Sequence, residues 1–203
     1  KKKKILGPKD FEETLKKNKK DFLKKNKKRG YGYWYWKPYL IKEMMNNLND
    51  NDIIHYVDVG CHIIKNKNHK FNQYLNFLVD QDNWILPFQY NFYESKKNNG
   101  ITFPERQEYK FTKADLINFF NFIGSTEITD TPQFWAGNLF VKKNKASKEF
   151  LSEWIDIMYK NTNLIDDSIS KINNHVDFIE NRHDQSVFSL LCKKYKLKSF
   201  SAY

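Results

Sequence analysis

Cysteine is scarce in this sequence. The two thiols, Cys61 and Cys192, stand far apart and show no metal-site spacing. That excludes a cysteine-built metal centre and fits a reducing compartment, with a single disulfide left open. Cys61 has no base paired with it by any sequence cue, so a small buried residue is the simpler role. Long apolar runs are also missing. None approaches the roughly 20 residues a membrane helix needs, and the basic residues 1–4 lead into no apolar signal core. No internal repeat and no dividing linker occurs, so residues 1–203 read as a single domain. The expected compartment is cytoplasmic. There is no initiating Met, and the chain stops at Tyr203 as a strand begins, which predicts a piece of a longer protein and leaves the presence of a targeting segment open.

Hydrophobic residues make up 40% and aromatic residues 17% of the chain, which predicts a folded protein rather than a disordered tail. The net charge of +11 raises the question of nucleic acid, and its location answers it. The first 29 residues hold 14 Lys+Arg against 4 Asp+Glu, while the rest holds 21 against 20. The surplus is one N-terminal segment able to meet an anionic surface. Abundant Lys, Asn, Ile, Tyr and Phe also suit an AT-rich genome, so nucleic acid is not the expected partner.

Residues 29–63 carry the most information. An aromatic turn leads to Pro38, expected at the first position of a helix, where its missing N–H costs nothing. Leu40, Ile41, Met44, Met45 and Leu48 follow at helical spacing. The run Ile53-Ile54-His55-Tyr56-Val57 predicts a strand, with Asp58 at its end and Gly60 beyond. In open α/β sheets ligands sit past the carboxyl ends of strands. Elsewhere a strand end is expected at residues 3–7 and a Lys-rich helix from a capping box at Asp10 and Glu13. Further helices are expected around Phe71 to Leu78, from Thr112 to Phe120, from a Ser147 cap onward, and from Asp184 onward. Strands are expected at residues 84–88, where Pro87 suggests an edge or end, at 134–141 and at 197–200. Residues 91–109 and 124–131 read as loops, and residues 161–174 are polar. Alternating strands and helices predict an α/β layered domain.

Tyr31-Gly32-Tyr33-Trp34-Tyr35-Trp36-Lys37-Pro38 and Ile54-His55-Tyr56-Val57-Asp58-Val59-Gly60-Cys61 resemble a group of viral and bacterial glycosyltransferases of the GT-A type. Phe134-Trp135-Ala136-Gly137-Asn138-Leu139-Phe140 and Arg182-His183-Asp184-Gln185-Ser186-Val187-Phe188 agree, in the same order. The resemblance implies a GT-A-like, Rossmann-like layered sheet, here lacking or shortening its first strand. It also implies sugar transfer from a nucleotide-diphosphate donor to a glycan or protein acceptor.

Such chemistry must neutralise a leaving diphosphate, commonly with Mn²⁺ or Mg²⁺ on carboxylate oxygens. Related enzymes place two acids one residue apart; here the second position is Gly60. Asp58 is therefore the metal and diphosphate candidate, with His62 as a possible aid. Tyr33, Trp34 and Trp36 are donor-site candidates that would serve equally well as core. Lys37, just before a helix start, is a phosphate or donor-hydroxyl candidate, or a solvated lysine. By resemblance Gly137, Asn138 and His183 border the donor sugar, and Asp184 and Gln185 contact the sugar or orient the acceptor hydroxyl. Asp184 would also make an ordinary helix cap, and Gly137 a bulge. Two rivals differ in class: a carbohydrate-binding module without turnover, and a nucleic-acid binder using residues 1–29.

Overall fold

The computed structural model describes residues 29–64, 66–79, 82–90 and 106–202. The elements expected over residues 3–28, and most of the loop expected over 91–109, lie outside them.

The described residues form an α/β domain with a four-stranded mixed sheet flanked by helices. The strands are β1 (Ile53–Val57), β2 (Ile85–Gln89), β3 (Phe134–Lys142) and β4 (Phe200–Ser201), in the order β1-β3-β2-β4. Strand β3 pairs antiparallel with β1 and β2, and β4 pairs parallel with β2. So β1, β2 and β4 run in one direction, and their carboxyl ends share one edge of the sheet.

Pro87 does not mark an edge. β2 lies between β3 and β4, and the ladder slips between Pro87 and Phe88. A bulge is the place where a central strand tolerates a residue without an N–H.

Helices α1 (Gly30–Tyr33) and α2 (Trp36–Met45) precede β1, and α3 (Asn68–Val79) separates β1 from β2. Three short helices, α4 (Glu108–Phe111), α5 (Ala114–Phe119) and α6 (Thr126–Thr129), precede β3. Beyond it come α7 (Lys145–Lys160), α8 (Thr162–Ile165) and α9 (Asp184–Lys194). Pro38 sits inside the first turn of α2 rather than at its first position, still before any intrahelical N–H is required. α7 begins a turn before the expected Ser147: Asn144 accepts from Ser147 N while Ser147 Oγ accepts from Asn144 N. This reciprocal pair satisfies two orphan donors at once.

The period-two alternation of the strands divides the interior. Ile54, Phe134, Ala136, Leu139 and Val141 face α2, α7 and α9, whose Ile41, Trp154, Phe188 and Leu191 complete the larger core. Phe140 and Phe88 face α3, where Leu78 closes a smaller one. Among the described residues no helix is long and apolar enough to cross a membrane.

Candidate functional site

Residues 30–34 turn back on themselves, with four of the five in the left-handed region. Gly30, Gly32, Tyr33 and Trp34 all have positive φ. Glycine adopts this backbone without penalty, and any Cβ on Gly30 would collide with the Trp34 ring. Tyr33 and Trp34 occupy it at about 1 kcal/mol or more each. Trp36 Nε1 donates to Gly30 O at 2.9 Å and so pins the turn from inside. Trp36 packs against the larger core.

The turn delivers Lys37 into the interior, 3% exposed. Its Nζ lies 2.7 Å from Asp184 Oδ2 and 3.6 Å from Asp58 Oδ1, and it donates to Ala136 O at 3.2 Å. Asp58 follows β1 on the same face as Tyr56, whose hydroxyl donates to Asp58 Oδ1 at 2.7 Å. The Tyr56 ring also faces Lys37 Nζ at 5.5 Å. The backbone N–H of Asp58 donates to Gly137 O. Asp58 Oδ2 lies over Gly137, where a Cβ would approach it to 2.7 Å and would strike Trp135 Nε1 as well. The glycine is needed for that close approach, not for its dihedrals. The Asp58 side chain is 41% exposed, so it is the water-facing member of the cluster.

Asp184 opens α9, where the helix N-terminus favours an anion. Burial pushes its carboxyl up to about 6, against the pull of Lys37 and with Asp58 adding repulsion. Oδ2 makes an ionic contact with Lys37 but accepts no well-aligned hydrogen bond. One ammonium therefore faces two carboxylates, and the surplus negative charge is not quenched locally.

His183 is the N-cap of α9 and also has positive φ. It is buried, with Nδ1 2.6 Å from Ile165 O. A carbonyl only accepts, so Nδ1 carries the proton and Nε2 presents its lone pair. Burial lowers the pKa of the ring and keeps it neutral. Nε2 has no hydrogen-bond partner. The ring packs on Tyr33 and Trp34, with centroids 4.7 and 5.7 Å away.

The remaining candidates lie apart from the cluster. Asn138 turns to the opposite face of the sheet, where its Oδ1 meets His55 Nε2 at 2.9 Å. His55 in turn stacks on Phe140, so this pair belongs to the α3 side. Gln185 donates to Gln133. Two pockets among the described residues, one of about 600 Å³ beside Lys42 and Lys143 and one of about 310 Å³ beside Lys113 and Asp166, do not include the Lys37 cluster.

Tyr56, Trp135 and the Ala136 carbonyl are cluster members that sequence reasoning did not select. Tyr56 was within reach, because it shares the period-two face of Asp58. Trp135 lies inside the Phe134–Phe140 stretch that carries part of the resemblance. No sequence signal points to a backbone carbonyl.

Among the described residues, no three of His, Cys, Asp and Glu converge on a metal-sized gap. The hard oxygen chemistry present is that of Asp58 Oδ2. Comparison with protein families, with curated proteins and with solved structures finds no match to this chain.

Proposed function

We propose that this chain is a GT-A-type glycosyltransferase acting on a nucleotide-diphosphate sugar and a glycan or protein acceptor. One observation carries the reading. The four sequence blocks that carry the resemblance supply Lys37, Asp58, Ala136-Gly137 and Asp184 to one cluster. The cluster lies past the carboxyl end of β1, on the edge shared by the three co-directional strands, where α/β sheets bind ligands.

In this function Asp58 Oδ2 faces the donor. A hard divalent cation, Mn²⁺ or Mg²⁺, fits one such carboxylate oxygen when diphosphate and water fill its remaining positions. When bound it would supply charge neutralisation for the leaving diphosphate. Asp184 holds Lys37 in place rather than reaching the acceptor, since both are buried. Lys37 then sets the field at Asp58. His183, Tyr33 and Trp34 form the adjoining aromatic wall.

The single exposed carboxylate favours one rival, a carbohydrate-binding module without turnover. Titration calorimetry separates the two. The transferase binds a UDP- or GDP-sugar, and EDTA weakens that binding. A protein that takes up glycan and gives no heat with either nucleotide sugar contradicts the proposal.

A further inference from the structure

A second polar cluster lies on the same edge, outside the Lys37 site. Arg106 and Arg182 both face the ring of buried Phe111, with guanidinium carbons 5.8 and 5.1 Å from its centroid. Arg106 also covers the Tyr90 ring at 4.7 Å. Tyr90 in turn neighbours Trp135, whose indole nitrogen overhangs Gly137 beside Asp58. Arg182 immediately precedes His183 and Asp184.

The charges here do not balance. Glu180 meets Arg182 at 2.7 Å and Arg29 at 3.4 Å, and Asp167 meets Arg29 at 3.1 Å. Arg29 and Arg182 thus use up these two carboxylates, and the third guanidinium, Arg106, is left without one. Among the described residues Arg106 has no ion-pair partner. Nε of Arg106 and Nε of Arg182 are both buried without a hydrogen-bond acceptor. A guanidinium carries five donors and cannot shed its proton. Leaving such donors dry is costly, and placing two like charges against one ring adds repulsion. The Arg182 pKa is lowered by burial, with Arg106 contributing. An oxyanion relieves both problems.

We propose that Arg106 and Arg182 form an oxyanion subsite that takes a phosphoryl group of the ligand bound at this edge. A tetrahedral phosphoryl group offers acceptors in several directions and can serve two forks. A planar carboxylate is matched by one. The flanking Phe111 and Tyr90 rings fix the guanidinium planes by stacking. The subsite stands on charge and geometry and does not require that sugar transfer be the reaction.

The test is titration of the full chain with inorganic pyrophosphate, alongside melting curves with and without it. Wild type binds and melts higher. Arg106→Gln and Arg182→Gln each weaken binding at least tenfold, while Lys145→Gln, an exposed remote charge, binds as wild type does. Arg106→Lys keeps the charge and loses the fork, so it weakens binding several-fold and decides the matter if the Gln variant fails to fold. No binding by wild type, or equal binding by all variants, overturns the subsite. Competition names the source: displacement by UDP assigns the anion to a donor diphosphate, and displacement by a hexose 6-phosphate to a phosphorylated acceptor.

Discussion

Two buried ion clusters in this molecule use the same side-chain chemistry and reach opposite outcomes. In the first, Glu108 is fully buried and both its oxygens are occupied. Thr112 Oγ1 and Gln133 Nε2 donate to Oε1 at 2.6 and 3.0 Å, and Ser189 Oγ and Lys193 Nζ meet Oε2 at 2.5 and 2.7 Å. Lys193 also donates to Ile128 O and Thr131 O. One cation meets one anion, and every lone pair is used. This cluster ties α4 and α9 to the start of β3.

In the second, Lys37 serves two carboxylates, one of them raised to about 6 and the other facing water. A satisfied network fixes architecture. An unbalanced one retains free energy that a ligand can release, and perturbed groups in such places mark functional sites.

The sharpest way to break the comparison is to remove the balanced carboxylate. Glu108→Ala leaves Lys193 buried without its counter-ion, so unfolding in urea should show a loss of about 3–5 kcal/mol. A loss under about 1 kcal/mol would mean that the first cluster is not architectural.

The next effect is smaller and depends on pH. Asp184 binds its proton more tightly in the folded state, with a pKa of about 6 against the usual 3.8. Between these values the native protein holds more protons than the unfolded chain, so stability falls as pH rises from about 4 to 6. The drop is on the order of 3 kcal/mol. Denaturation curves across that range should show it, and Asp184→Asn should flatten it. An unchanged slope in the variant would assign the titration to another group.

Asp58→Asn has the smallest expected effect on folding. The side chain is partly exposed, and an amide oxygen can still accept from Tyr56. The loss should stay below about 1 kcal/mol, so the variant separates chemistry from stability.

Much of this was legible in the sequence, and the exceptions have physical causes. β1 was readable as a short apolar run of β-formers, and α7 because its apolar residues keep a period of 3.6. The α/β layering followed from the alternation of elements. Pro87 misled because its bulge depends on the β3 register, which local pattern does not encode. The start of α7 was displaced because Asn144 and Ser147 can each cap, and only the backbone decides between them.

At the site, residue types were legible and pairings were not. Lys37 was read as a helix-start cation for phosphate, whereas its nearest partner is Asp184, from the far end of the chain. Asn138 was grouped with Gly137 by adjacency, yet strand pleating sends its side chain to the opposite face.

The account rests on Asp58 being the donor-facing carboxylate of a working transferase, and one measurement addresses it directly. Release of free sugar from UDP- and GDP-sugars is followed for wild type and Asp58→Asn at matched folded fraction. The account predicts measurable turnover in wild type and a fall of at least about 100-fold in the variant, the size expected when a charge-stabilising group at the reacting centre is lost. Equal turnover in the two proteins would contradict it.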